Sequence, residues 1–200
     1  MEAIVKNALI NQATEMIQLF RGWDTNFPFK YYSSDLDCSI IHEPDYSLPR
    51  NTNPVEGRPV QGYFAPITDE INKLPCLYYL EILNDNLSAS EIYDAYIKAA
   101  DKSVNPSRSF SATRKKFDDT TKVLYVGKVQ KGLGGRQVVH LGLYKTGATG
   151  GLQMAYWAKQ LGLKLRLHFF VAENPQYADY LVPLENRLAK ELRPLIGKHK

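Results

Sequence analysis

The runs Cys76-Leu77-Tyr78-Tyr79-Leu80-Glu81-Ile82-Leu83 and Lys122-Val123-Leu124-Tyr125-Val126-Gly127-Lys128-Val129 decide how this chain is read. Both are dense in aromatic and apolar residues. Asn84-Asp85 closes the first, and the turn Gly132-Leu133-Gly134-Gly135 follows the second. That is the pattern of two β-strands. Alternation sets Cys76, Tyr78, Leu80 and Ile82 on one face of the first strand, and Leu77, Tyr79, Glu81 and Leu83 on the other. Further on, Leu163, Leu165, Leu167, Phe169 and Val171 alternate with Lys164, Arg166, His168 and Phe170, predicting a third, half-buried strand. Helices fall around these strands. Ser88-Ala89-Ser90-Glu91 is a capping box that starts a helix to about Ala100. Shorter helices are predicted from near Arg136 and over residues 152–161. Leu181, Leu184, Leu188 and Leu192 mark the last helix, with Pro183 in its first turn and Pro194 at its end.

Toward the N-terminus the pattern changes. Residues 2–20 carry a helical stripe of Val5, Leu9, Met16 and Phe20. Residues 21–75 are interrupted by seven prolines, from Pro28 to Pro75, which predicts irregular chain. Trp23, Phe27, Phe29, Tyr31, Tyr32, Tyr63 and Phe64 predict that it wraps against something, because a disordered tail is poor in aromatics. The expected organisation is an accessory segment over 1–75 and a compact unit over 76–200.

Composition narrows the classes. Hydrophobic residues make up 44% of the 200 and charged residues 23%, values of a globular chain that exclude wholesale disorder and collagen-like repeats. No apolar run approaches the ~18 residues of a membrane span. The start, Met1-Glu2-Ala3, lacks the basic region of a signal peptide. The two cysteines, Cys38 and Cys76, form neither a C-x-x-C pair nor a disulfide framework. A reducing, cytoplasmic location without a membrane is therefore expected. Nothing in the sequence fixes an oligomeric state.

Charge is unevenly spread. Residues 1–101 hold 7 Lys/Arg against 15 Asp/Glu, whereas residues 102–166 hold 13 against 2. A segment of net charge +11 attracts polyanions, and Arg108, Arg114, Lys115, Lys116 and Lys131 are its candidate nucleic-acid contacts. The competing reading is a solvated face balanced by the acidic N-terminal part.

Several motifs are excluded. Gly142-x4-Gly147 is followed by Ala148-Thr149, not by the lysine of a phosphate-binding loop. The four histidines have no zinc spacing, and a G-x-S-x-G nucleophile elbow is missing. Three sets of residues remain. Arg136 and His140 stand at i and i+4, on one helical face, where they could hold a phosphate or be incidental surface charges. Glu185 flanks the leucine stripe of the last helix, where it either needs a cation, donor or metal partner or serves as a helix-start carboxylate. Tyr78 and Tyr125 sit within strands, where a tyrosine is ordinarily core with a satisfied hydroxyl.

Taken in order, these residues resemble the GIY-YIG nuclease family. Cys76-Leu77-Tyr78 stands for the first half-motif and Tyr125-Val126-Gly127, followed by Lys128, for the second. Arg136 and His140 match an Arg-x-x-x-His pattern, and Glu185 the last-helix glutamate. The resemblance spans roughly residues 76–200, with Cys76-Leu77 in place of Gly-Ile and an insertion at about 84–121. It implies an α+β fold, a small and mostly antiparallel sheet of three strands flanked by helices, behind an N-terminal extension. It also implies a metal-dependent endonuclease acting on DNA, in restriction or defence against mobile DNA. Tyr78 would be general base, poised by Lys128 and Arg136. Arg136 would bind the scissile phosphate, and Tyr125 and His140 would orient water or base. Glu185 would hold Mg2+ or Mn2+. Two rival readings stand beside this one: a catalytically silent nucleic-acid-binding module on the same fold, and a partner-binding protein whose acidic part neutralises the basic face.

Overall fold

The computed structural model describes residues 27–43, 63–113, 117–143 and 150–197, with scattered positions between 4 and 24. The stripe of Val5, Leu9, Met16 and Phe20 lies outside the described residues, as do Arg114, Lys115 and Lys116. Four strands, β1 (Phe29–Asp37), β2 (Cys76–Ile82), β3 (Val123–Val129) and β4 (Lys164–Ala172), form one antiparallel sheet in the order β1-β4-β2-β3. Three helices, α1 (Ala89–Ala100), α2 (Leu133–Leu141) and α3 (Leu181–Leu192), pack around it. Among the described residues no helix is long and apolar enough to cross a membrane. Cys38 and Cys76 are both free and buried.

The expected three-stranded sheet is corrected to four. The added strand, β1, lies in the stretch read as irregular. Its nine residues alternate only weakly, because β1 is an edge strand and only Phe29 and Leu36 in it are buried. With polar Ser33, Ser34, Asp35 and Asp37 in the run, the period-two hydrophobic signal on which strand reading depends is missing. Backbone pairing to β4 along the whole length, from Phe29 opposite Ala172 to Asp37 opposite Lys164, holds it in place.

The predicted alternations of β2 and β4 are observed. Leu163, Leu165, Leu167, Phe169 and Val171 are all buried, as are Cys76, Tyr78, Leu80 and Ile82. They share the sheet face that packs with Ile92 and Tyr96 of α1 and Leu133 and Leu141 of α2. Each such side chain contributes about 1.5–3 kcal/mol by leaving water. The other face is covered by α3, where Leu181 and Leu184 meet Phe29, Leu77 and Phe170, while Ala189 and Leu188 meet Val126 and Tyr79. The capping box of α1 forms: Glu91 N–H donates to Ser88 Oγ at 3.2 Å, and Ser88 N–H donates to the Glu91 carboxylate at 2.8 Å. Past α3, the chain turns through Arg193, and Leu195 and Ile196 donate backbone N–H groups to Val123 and Leu124, so the β3 edge is partly paired.

Two helices differ from expectation. The stretch 152–161 is two 3-10 turns, Met154–Tyr156 and Ala158–Leu161, not one α-helix. Gln153 sits in the left-handed region at φ 55° and Trp157 at φ −150°, so no continuous helix can form. The helix expected from near Arg136 begins earlier, at Leu133, behind Gly132 at φ 78°. Three glycines in this stretch weaken the local helix signal, but Asn72 supplies the missing cap from outside, as described below.

Candidate active site

The pairing of β2 with β3 sets Tyr78 directly opposite Gly127, so the two half-motifs meet across one ladder. Glycine is needed there. A Cβ on Gly127 would lie 2.5 Å from Tyr78 Oη and 2.8 Å from the Tyr125 ring, closer than carbon can approach either. Tyr79, on the other face, stacks on His168 at 4.3 Å and plays no part in this cluster.

Helix α2 brings Arg136 and His140 onto the two tyrosines. Arg136 donates Nε–H to Tyr78 Oη at 3.3 Å, one terminal nitrogen to Tyr125 Oη at 3.3 Å and the other to the Gly150 carbonyl at 2.8 Å. His140 Nε2 lies 2.9 Å from Tyr78 Oη, and its Nδ1 accepts the Leu152 backbone N–H at 3.2 Å. An imidazole that accepts at Nδ1 carries its proton on Nε2. Tyr78 Oη therefore receives two donors, one of them cationic. Two donors on a phenol oxygen favour its ionised form.

Burial works against that. Tyr78 and His140 are fully buried. Burial pushes the Tyr78 hydroxyl well above the usual tyrosine range, the Tyr125 hydroxyl adds to the rise, and Arg136 pulls the other way. Burial and then the Arg136 charge hold His140 well below its ordinary value of 6.5, so the ring is neutral. Tyr125, Lys128, Arg136 and Glu185 are half-buried and form the solvent side of the cluster. Lys128 Nζ stands 4.0 Å from Glu185 Oε2. Burial raises the Glu185 carboxyl, with Lys128 and Arg136 opposing.

Compared with known proteins, the chain matches no family model, no curated protein and no solved structure.

Glu185 would be the donor for the ion that the resemblance implies. A single half-buried carboxylate can serve a hydrated Mg2+ or Mn2+ that keeps most of its waters, while Lys128, 4.0 Å away, would oppose the charge of such an ion. One carboxylate does not suit an all-protein cage, and among the described residues no group of three His, Cys, Asp or Glu side chains gathers.

Of the candidate nucleic-acid contacts, Lys131 is exposed, two residues ahead of α2. Arg108 is placed differently. It is buried at 6% exposure, with its guanidinium 4.8 Å over the Tyr156 ring, and its carbonyl accepts from Lys102. A surface phosphate contact is not what this packing provides.

The sequence reading missed the supports. Residues 150–152 fix both Arg136 and His140 through backbone atoms, and they are held in turn by residues 109–111: Gly151 donates to the Ser109 carbonyl and accepts from Ser111 N–H. A Cβ at Gly151 would lie 2.5 Å from the Val139 carbonyl, so this loop lies directly on α2. Asn72, just ahead of β2, accepts Gly134 N–H on Oδ1 at 2.7 Å and Gly132 N–H on its carbonyl at 2.6 Å. It caps α2 from a residue 60 positions away from Gly132. Backbone partners leave no side-chain signature; only Gly134 and Gly151, where a Cβ would lie 3.1 Å from Asn72 and 2.5 Å from the Val139 carbonyl, mark where close approach is needed.

Proposed function

We propose that the chain is a metal-dependent endonuclease of the GIY-YIG type, hydrolysing DNA phosphodiester bonds. The observation that carries the reading is the convergence of Arg136 and His140 on the hydroxyl of Tyr78, a tyrosine set opposite Gly127. An ordinary core tyrosine is satisfied by one partner; this one is met by an imidazole and a guanidinium held from behind by Gly150 and Leu152.

Each residue then has a chemical task. Three of the five guanidinium N–H groups of Arg136 are engaged within the protein, and two remain for a phosphate oxygen, where charge grows in the transition state. Tyr78 accepts the proton of the attacking water, and Arg136 and His140 stabilise the tyrosinate that this requires. Tyr125, on the solvent side, orients the water. Lys128 attracts the DNA backbone and balances Glu185. Glu185 would hold Mg2+ or Mn2+, which when bound supplies charge to the phosphate and its leaving oxygen. Lys131 and the wider basic segment serve the DNA backbone. Restriction or defence against mobile DNA is the setting proposed.

The test is incubation of plasmid and oligonucleotide substrates with and without Mg2+ or Mn2+, using the parent chain and Tyr78→Phe. Metal-dependent cleavage lost in Tyr78→Phe supports the reading. DNA binding that weakens with salt, with no cleavage under any metal, replaces it with the silent binding module.

A further inference from the structure

The sheet face under α3 carries a second group of reactive side chains. Register sets four ranks across β1, β4 and β2: Phe29 with Ala172, Tyr31 with Phe170 and Leu77, Ser33 with His168 and Tyr79, and Asp35 with Arg166 and Glu81. The first two ranks are mostly apolar and the last two polar. At the seam, Tyr31 Oη lies 2.8 Å from His168 Nδ1, and His168 Nε2 lies 2.8 Å from Glu81 Oε2. A carboxylate only accepts, so Nε2 carries the ring proton and Nδ1 accepts the Tyr31 O–H. Tyr79 lies flat against the imidazole, at 4.3 Å and 7°, and holds its plane. Hydroxyl, imidazole and orienting carboxylate in series are the arrangement that activates hydroxyl nucleophiles. The base is buried at 8% exposure while the hydroxyl-bearing residue is 51% exposed.

A second observation points to a ligand. Beside this relay is a pocket of about 260 Å³, lined by Trp23, Phe29, Leu77, Phe170, Leu184 and Leu188. Its Phe170 ring lies 5.2 Å from the Tyr31 ring, so the pocket adjoins the ring that carries the hydroxyl. Arg187 and Glu191, paired at 2.7 Å, edge it. An apolar cavity of ~150 Å³ already holds benzene; this one accommodates a ring or a short acyl chain.

We propose that this face is a second chemical centre, at which Tyr31 attacks the carbonyl carbon of an apolar carboxylic ester whose acyl chain occupies the pocket. The Tyr31 Oη–carbon bond forms and the ester carbon–oxygen bond breaks. The Tyr31 proton passes to His168 Nδ1 and then to the departing oxygen, leaving acyl-tyrosine and an alcohol. The Tyr31 and Tyr78 side chains lie on opposite faces of the sheet.

The experiment mixes the full chain with p-nitrophenyl acetate or p-nitrophenyl hexanoate, follows p-nitrophenolate release and maps the adduct by mass spectrometry. A burst of one equivalent is expected, with the acyl group on Tyr31. Hexanoate should react about tenfold faster than acetate, since its added methylenes leave water. His168→Gln should slow acylation by about 10²-fold or more, Glu81→Gln should slow it less, and Tyr31→Phe should remove the adduct. Tyr78→Phe should acylate like the parent. Leu188→Trp, which fills the pocket, should erase the advantage of hexanoate over acetate. Acyl groups spread over many residues would overturn the proposal. So would Tyr31 acylation at parental rate in both folded His168→Gln and Glu81→Gln.

Discussion

Leu152 donates its backbone N–H to Nδ1 of His140 across 3.2 Å, and that bond decides what the imidazole does. With Nδ1 taken, the ring holds its proton on Nε2, aimed at Tyr78 Oη at 2.9 Å. His140 is thus a fixed donor to the tyrosine and not a shuttle that could take its proton.

The first expectation is thermodynamic and independent of catalysis. Burial and Arg136 hold the folded His140 well below 6.5. Above pH 6.5 the ring is neutral in folded and unfolded chains and contributes nothing to pH dependence. Below it, the unfolded chain binds a proton that the folded chain refuses. Stability should therefore fall as pH drops below 6.5, by up to about 1.4 kcal/mol per pH unit. Urea unfolding between pH 7.5 and 5, in the parent and in His140→Gln, measures it. The variant should lose that part of the slope; parallel curves would mean that His140 is protonated in the folded state.

The second concerns rate. The Tyr78 hydroxyl is raised by burial, so its ionised fraction grows tenfold per pH unit throughout the neutral range. Single-turnover cleavage should rise with a log–log slope of about 1 from pH 7 to 9 without a plateau. Arg136→Ala should lower it by about 10²–10³, and Lys164→Ala, an exposed lysine at the start of β4, by little. A plateau below pH 8 would assign the base to another group.

What the sequence disclosed follows from where side chains carry the signal. The strands β2 and β4 were legible because their alternation is apolar on a buried face, β3 because an apolar and aromatic run is closed by a glycine-rich turn, and α1 and α3 because a capping box and a leucine stripe mark them. The edge strand β1 was not, since its pairing is backbone to backbone and its exposed faces are polar. Likewise Tyr78, Tyr125, Arg136 and His140 could be listed from motif order, and the structure brings all four within hydrogen-bonding or ring contact. Gly150 and Leu152 act through main-chain atoms that any residue possesses, so no residue type could announce them. Arg108 shows the opposite case: its charge places it in the basic segment, and the fold buries it with its guanidinium over Tyr156.

Asn72 provides the third prediction. It caps α2 in place of Gly132, which has no side chain to do so. Asn72→Ala should cost about 1 kcal/mol, as loss of a helix cap does, and should lower cleavage by loosening Arg136 and His140. Asn72→Asp keeps an acceptor toward Gly134 N–H and should restore both. Chemical denaturation and cleavage rates of the two variants decide this. If Asp fails as Ala does, the carboxamide matters through its amide nitrogen and not as a cap.

The last prediction separates two roles for Glu185. Its carboxyl is raised by burial, with Lys128 4.0 Å away as its nearest ion-pair partner. As a metal ligand it must be charged, whereas as the ion-pair partner of Lys128 its charge serves stability alone; a helix-start role is not open to it, because it is the fifth residue of α3 and the first turn holds no acidic residue. Glu185→Gln keeps the shape and removes the charge. If Glu185 holds Mg2+ or Mn2+, the variant should cleave no DNA at any metal concentration that supports the parent. Its metal-free DNA affinity should hold or rise, because a negative charge near phosphate is gone. Its thermal stability should hold or improve, since a half-buried carboxylate without metal is costly. If Glu185 serves only the ion pair with Lys128, the same change should cost up to about 1 kcal/mol and leave cleavage intact. The two roles move stability and activity in opposite directions, so an active but destabilised Glu185→Gln chain would remove the ion from this glutamate.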